Sequence, residues 1–258
     1  MTDELLIERD GHVTTLTLAR PAKLNALTSP ILEALVRAAD MLERDDDCRA
    51  VILTGEGPKA FCAGADIVEW GDLDPLAFGR HWVRSGHRVY DRLARLRQPL
   101  IAMLNGIAFG GGLELAATAD LRVAEAHVRL ALPETRIGII PGWSGTQRLV
   151  RRVGPQAVRR LALTGEPMDA AEAMRIGLVD EVVPTGEGMT RALALARTIA
   201  ERGPVAVQTT KILINSAELE EDGAAIEMLA GALVAGTEDA KEGVASFKEK
   251  RTPSFKNA

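Results

Sequence analysis

The chain has 258 residues, 47% of them hydrophobic and 26% charged, which excludes disordered and fibrous classes. Lys and Arg number 31 against 36 Asp and Glu, a net charge of −5. That balance argues against a dedicated nucleic-acid binder, whose phosphate contacts need a basic surface, but leaves room for a local patch that holds a small anion. Aromatics make up only 3%, so the core is expected to be aliphatic.

The first elements read as a hairpin, Leu5–Glu8 and Val13–Leu18, around the turn dipeptide Asp10-Gly11. Ser29-Pro30 reads as an N-cap followed by Pro at the first helical position, and Ile31, Leu32, Leu35, Ala39 and Leu42 recur at helical spacing until Asp45-Asp46-Asp47. Ala50–Leu53 is a short buried strand. Phe78–Leu96 is predicted as a helix with Phe78, Trp82, Val89, Leu93 and Leu96 on one face and Arg80, Arg84, Arg88, Arg92 and Arg95 over the other, a solvated face. Leu100–Leu104 is a buried strand closed by Asn105-Gly106. Gly110-Gly111-Gly112 then opens a helix over Leu113–Ala119. Leu121–Ala124 and Val128–Leu132 read as strands, and Gly145–Val153 and Gln156–Leu163 as helices parted by Gly154-Pro155. Alternating strands and helices up to about residue 184 predict an α/β class. Beyond Pro184 only helical patterns remain: Met189–Arg202, Val205–Ala217, Ile226–Val234 and Thr237–Lys250. The boundary is placed at residue 200, giving a core over 1–200 and a helical C-terminal part over 201–258.

Cys48 and Cys62 cannot staple a chain this long, and they read as reduced thiols of a cytoplasmic protein. No Cys/His spacing resembles a metal site, so no metal is expected. No secretory signal or membrane span is visible, and neither a membrane nor a nucleic-acid partner is expected.

Two segments carry chemistry, Lys59–Ile67 (KAFCAGADI) and Ile101–Leu115 (IAMLNGIAFGGGLEL). Small residues there let a ligand approach backbone N–H groups. In the second, the glycines lead into a helix whose first N–H groups have no intrahelical partner, a site for a phosphate or an oxyanion. A triple glycine alone also reads as a packing turn, and neither a dinucleotide nor a P-loop fingerprint occurs. Glu114 follows the glycines and Glu134 follows Pro133. Singly, the first reads as a charge–dipole contact and the second as a surface turn. Together with two oxyanion donors they point to acid–base work on a carbonyl compound.

The string from Ile101 to Glu114, Pro133-Glu134 and Gly138–Leu149 (GIIPGWSGTQRL) resemble the enoyl-CoA hydratase/isomerase (crotonase) family. So do Arg20-Pro21 with Leu24-Asn25-Ala26-Leu27, Leu163-Thr164-Gly165, Gly177-Leu178-Val179 and the tail from Thr237 to Arg251. The resemblance spans essentially the whole chain. It implies an α/β fold, a crotonase-like spiral of repeated ββα units, with a C-terminal helical trimerisation region. It also implies an acyl-CoA thioester substrate, a homotrimer or dimer of trimers, and no cofactor apart from the coenzyme A carried by the substrate.

By resemblance, the thioester oxygen is expected at the N–H groups of Ala65 and Gly111. Ala63, Asp66, Ile67 and Gly110 are expected around the ligand, with Lys23, Phe255 and Lys256 as contacts for the CoA nucleotide, the tail contacts coming from a neighbouring subunit. Hydratases of the family carry Glu at both positions matching Glu114 and Glu134. The implied activity is therefore a lyase reaction, syn addition of water to a trans-2-enoyl-CoA, with Glu114 activating water and Glu134 giving the proton to C2. An enoyl-CoA delta isomerase, another CoA-thioester lyase of the family and a non-catalytic acyl-CoA- or RNA-binding member are the alternatives. Trp143-Ser144 departs from the family pattern, in which small residues follow Pro-Gly. Trp143 is expected either to pack in the core or to line and shorten the acyl pocket.

Overall fold

The computed structural model describes residues 4–220 and 223–256. The chain divides into two compact units, the first ending at Lys211 and the second beginning at Ile212.

The strands are β1 (Leu5–Asp10), β2 (Val13–Leu18), β3 (Ala50–Gly55), β4 (Ala60–Cys62), β5 (Leu100–Leu104), β6 (Ile107–Phe109), β7 (Leu121–Glu125), β8 (Arg129–Ala131), β9 (Met168–Asp169) and β10 (Glu181–Val183). The helices are α1 (Ser29–Glu43), α2 (Ile67–Trp70), α3 (Pro75–Ala77), α4 (Arg84–Ala94), α5 (Gly111–Ala116), α6 (Gly145–Thr164), α7 (Ala170–Arg175), α8 (Gly188–Ala200), α9 (Pro204–Ala217), α10 (Gly223–Ala235) and α11 (Glu238–Glu249).

Six strands form one sheet in the order β1-β2-β3-β5-β7-β10, and four form a second in the order β4-β6-β8-β9. In the first sheet β1–β2 is antiparallel, with Asp10 opposite Val13 around Gly11, and every other pairing is parallel. Consecutive strands alternate between the sheets: β3 then β4, β5 then β6, β7 then β8. Helix follows each such pair, so the architecture is the repeated ββα spiral that the sequence implied. The two faces of the larger sheet explain its unbroken apolar runs. In β3, Val51 and Leu53 join the cluster containing α1 and α4, whereas Ala50 and Ile52 pack with Ala192 and Ala196 of α8.

The local chemistry corrects two expectations. The N-cap of α1 is Thr28, whose hydroxyl accepts from the Ile31 N–H, and Ser29 is the first helical residue. The helix expected over Phe78–Leu96 begins as a π-helical turn, Phe78–Val83, and becomes α only from Arg84 to Ala94. Its Arg face is solvated as expected, with Arg92 bonded to Asp40. Gly154 (φ 78°, ψ 161°) kinks α6 where the sequence placed the break.

The division between the units falls inside α9. Lys211 closes the first unit, its ammonium buried and donating to the Gln98 carbonyl at 3.1 Å and to Asp120 Oδ2 at 2.7 Å. In the second unit Thr237 caps α11 through the Ala240 N–H, and the tail folds back on that helix. Ser254 N donates to Glu242 Oε1 at 2.8 Å and Lys256 N to Asp239 Oδ1 at 2.7 Å. Ile226, Met228, Leu233, Val234, Val244, Phe247 and Phe255 are all exposed. Among the described residues no helix is long and apolar enough to cross a membrane, and no group of three His, Cys, Asp or Glu side chains gathers as metal ligands.

Candidate active site

Three loop-to-helix transitions of the spiral meet around a cavity of about 300 Å³. Ala63, Gly64 and Ala65 come from the end of β4, and Gly110, Gly111 and Glu114 from the start of α5. Pro133 and Glu134 follow β8, and Gly142 and Trp143 precede α6. Ile67, Trp70, Phe78, Trp82, Val83, Ile137, Ile139 and Ile140 make the remaining wall apolar, with Arg136 as a cation on it.

The Leu24–Leu27 motif orients the first of these segments. Ala63 N donates to Leu24 O at 3.0 Å, Leu27 N to Gly64 O at 2.8 Å, and Asp66 N to Leu27 O at 2.8 Å. Leu27 thereby forms a parallel bridge with Ala65. The N–H groups of residues 63 and 66 are bonded on that side, while that of Ala65, between them, has no acceptor among the described residues. Asn25 fixes the motif itself: its Oδ1 accepts from Arg20 N, and its Nδ2 donates to the carbonyls of Glu56 and Ala60.

Gly111 is the first residue of α5, so its N–H also lacks an intrahelical acceptor. A Cβ on Gly111 would stand 3.5 Å from the Ala65 nitrogen, and one on Gly64 would stand 3.4 Å from the Gly111 nitrogen. The two free donors are therefore neighbours. Gly110 turns the chain with φ 51° and ψ −125°, and a Cβ there would meet Glu134 Oε1 at 2.9 Å. Glycine at 110 thus serves both the backbone conformation and the close approach of Glu134.

The two carboxyls differ in environment. Glu114 is 2% exposed, and its Oε1 accepts from Trp143 N at 2.9 Å and from Gly145 N at 2.8 Å. Burial pushes its pKa up, against the pull of the Gly145, Trp143 and Gly142 N–H groups and the Arg148 charge. Glu134 is 8% exposed and has no such clamp; its Oε2 is buried with no hydrogen-bond partner among the described residues. Burial, helped by the neighbouring Glu114 charge, pushes the Glu134 pKa up to about 7. Both carboxyls thus have raised pKa values, and they differ in that N–H donors stabilise the carboxylate form of Glu114 whereas Glu134 Oε2 has no such donor among the described residues.

Trp143 is both a core residue and a wall of the cavity. It is 3% exposed, lies 5.2 Å from the Trp82 ring and 5.3 Å from the Tyr90 ring, and contacts Gly111 closely enough that a Cβ there would be 3.0 Å from the indole.

Glu114, Glu134, Ala63, Ala65, Ile67, Gly110, Gly111 and Trp143 are thus brought together. Asp66 is not a wall residue: its carboxylate caps α2 through the Val68 N–H and pairs with Arg20 at 2.6 Å, which lowers its pKa. Lys23 is exposed on the short turn Pro21–Lys23, with its charge acting on Asp66. Phe255 and Lys256 belong to the second unit, where they line a surface cleft with Thr237 and Gly243. Sequence reasoning missed Tyr90, Gly86, His87, Trp70, Arg136, Ile137, Ile139 and Ile140. A helical apolar face marks Tyr90 as buried at best, and nothing in sequence says what it meets.

The family model for enoyl-CoA hydratase/isomerase matches residues 8–258. The chain belongs to the enoyl-CoA hydratase/isomerase family. Within it, the short-chain-enoyl-CoA hydratase of Clostridium acetobutylicum is 41% identical, over 99% of this chain and 98% of the relative. The 2,3-dehydroadipyl-CoA hydratase of Escherichia coli is 40% identical over 98% of each. The crystal structure of an enoyl-CoA hydratase from Bacillus anthracis superposes with a TM-score of 0.81 at 37% identity, covering 99% of this chain and 100% of that one. Relatives of this family so named are lyases, and the spiral described above is the family's fold.

Proposed function

We propose that this member of the enoyl-CoA hydratase/isomerase family adds water reversibly to a trans-2-enoyl-CoA, giving the 3-hydroxyacyl-CoA. One observation carries the reading: two buried carboxyls, one held by two backbone N–H groups and one not, share a cavity with two neighbouring backbone N–H groups that have no acceptor among the described residues. An isomerase needs a single proton shuttle, and the clamped Glu114 would then have no task.

The thioester oxygen accepts from Ala65 N–H and Gly111 N–H. As water adds at C3, negative charge gathers on that oxygen as an enolate, and the fixed donors meet it without reorganising. The loss of one such donor costs about 3–4 kcal/mol. Glu114 orients the water and takes its proton; Glu134, protonated near neutral pH, gives its proton to C2. Delivery of both from one wall makes the addition syn, and the reverse roles serve dehydration.

Lys23, exposed on the turn Pro21–Lys23, is proposed to meet the CoA nucleotide. Phe255 and Lys256 are proposed to serve a neighbouring subunit's CoA. The exposed apolar residues of α10 and α11 support a homotrimer or dimer of trimers that covers them. The protein is proposed to work in the cytoplasm.

The test is loss of enoyl absorbance with a panel of 2-enoyl-CoA chain lengths, run beside 3-enoyl-CoA. Hydration of at least one 2-enoyl-CoA is expected. Isomerisation of 3-enoyl-CoA with no hydration of any 2-enoyl-CoA would replace this reading by the isomerase one.

A further inference from the structure

The turn that clamps Glu114 is built on a residue in an unfavourable conformation. Ser144 has φ 74° and ψ 7°, the left-handed region, which non-glycine residues seldom occupy. That turn sends the N–H groups on either side of Ser144 to one oxygen: Trp143 N and Gly145 N both donate to Glu114 Oε1. Around a left-handed residue, successive N–H groups converge on one anion in this way.

Ser144 also stands at the N-terminus of α6, where a serine hydroxyl ordinarily caps the helix. Here its side chain makes no cap bond. The hydroxyl lies instead 2.8 Å from His87 Nδ1, on α4, with either atom able to donate according to the ring tautomer. Helix α4 is firmly seated: Val89, Tyr90 and Leu93 are buried in the core. It also carries Gly86, against which the Trp143 indole lies, and Tyr90, bonded to the Gly111 carbonyl.

We infer that His87 is a positioning residue. Its hydrogen bond to Ser144 holds a strained turn in the conformation that clamps the Glu114 carboxylate. His87 need not touch substrate or change its charge to do this. The kinetic part of the inference rests on the hydratase reading; the conformational part does not.

The experiment compares wild type, His87→Ala, His87→Asn, and His87→Ala combined with Ser144→Gly. Without the anchor, the turn relaxes and Glu114 is held loosely. His87→Ala is expected to lower kcat for hydration about ten-fold with little change in KM, because a misplaced catalytic group costs rate rather than binding. Asn can replace the ring nitrogen as a hydrogen-bonding partner, so His87→Asn is expected to keep most of the rate. Glycine adopts φ near 74° without help, so adding Ser144→Gly to His87→Ala should recover most of the lost kcat. A His87 that merely packs predicts no such recovery. The inference is overturned if His87→Ala keeps kcat within about two-fold of wild type, or if the double variant stays as slow as the single one.

If wild type hydrates no enoyl-CoA, the hydratase reading has failed and the anchor is judged by Tm alone. Ser144→Gly should then raise Tm more in the His87→Ala protein than in wild type. Equal increments overturn the anchor.

Discussion

The Tyr90 hydroxyl donates to the carbonyl oxygen of Gly111 at 2.6 Å, inside the core and directly beneath the start of α5. Burial keeps the phenol pKa well above its ordinary value, so the hydroxyl stays a donor at any physiological pH. The bond pins the residue whose own N–H is one of the two proposed oxyanion donors. Tyr90→Phe should lower kcat for hydration about ten-fold and cost about 1–3 kcal/mol of stability, since a buried carbonyl loses a donor. Chemical denaturation and steady-state kinetics check it together. Unchanged kcat with reduced stability would leave Tyr90 a purely structural residue.

Trp143 sits so close to Gly86 that a Cβ at position 86 would be 2.0 Å from the indole Nε1. Gly86→Ala must therefore move the indole, and overpacking of that kind costs about 1–3 kcal/mol. Because the indole is also a wall of the cavity, the shift should raise KM for longer acyl chains more than for the shortest. Trp143→Ala opens the same wall, at about 3–5 kcal/mol of stability. It should move the chain-length preference toward longer or branched acyl groups. A chain-length profile unchanged in both variants would show that Trp143 belongs to the core alone.

Glu134 makes a pH-dependent contribution whose sign follows from its raised pKa. The folded protein holds a proton there up to about pH 7, whereas an unfolded Glu releases it near 4.5. Stability therefore falls as pH rises from about 4.5 to about 7, by about 3 kcal/mol, and then levels off. Glu134→Gln removes that burden. The variant should match wild type in stability near pH 4 and exceed it by about 2–3 kcal/mol at pH 8, as read by urea unfolding. In the wild-type enzyme, kcat/KM for hydration should decline above pH 7 as Glu134 loses the proton it gives to C2. A stability difference that does not vary with pH would contradict the assignment of that pKa.

Most of the spiral's larger elements were legible because burial on both faces leaves continuous apolar runs such as Leu100–Leu104. The three-residue strands β4 and β6 were not, since Ala60–Cys62 and Ile107–Phe109 are too short for any period and sit among glycines. Thr28 and Ser29 are adjacent residues that both suit an N-cap, and only the hydroxyl bond to Ile31 N separates them. The π-helical turn at Phe78–Val83 keeps Trp82 buried and so leaves no mark in the apolar pattern. At the site, Glu114, Glu134, Ala65 and Gly111 were legible through local motifs and resemblance. Their supports were not: Tyr90 with Gly111, Gly86 with Trp143 and His87 with Ser144 are pairs distant in sequence, and the periodicity of α4 marks which side is buried without naming what it meets.

In the proposed hydration the two carboxyls divide the work, with Glu114 handling water and Glu134 the C2 proton. The most direct measurement is kcat of enoyl-CoA hydration in Glu114→Gln, with folding verified by circular dichroism and run beside Glu134→Gln. Gln keeps the shape of Glu114 but cannot take a proton from water. Each variant is predicted to lose about 10²–10⁴-fold in kcat while still binding the enoyl-CoA. A folded Glu114→Gln protein that hydrates within about two-fold of wild type would show that Glu114 does not handle the water.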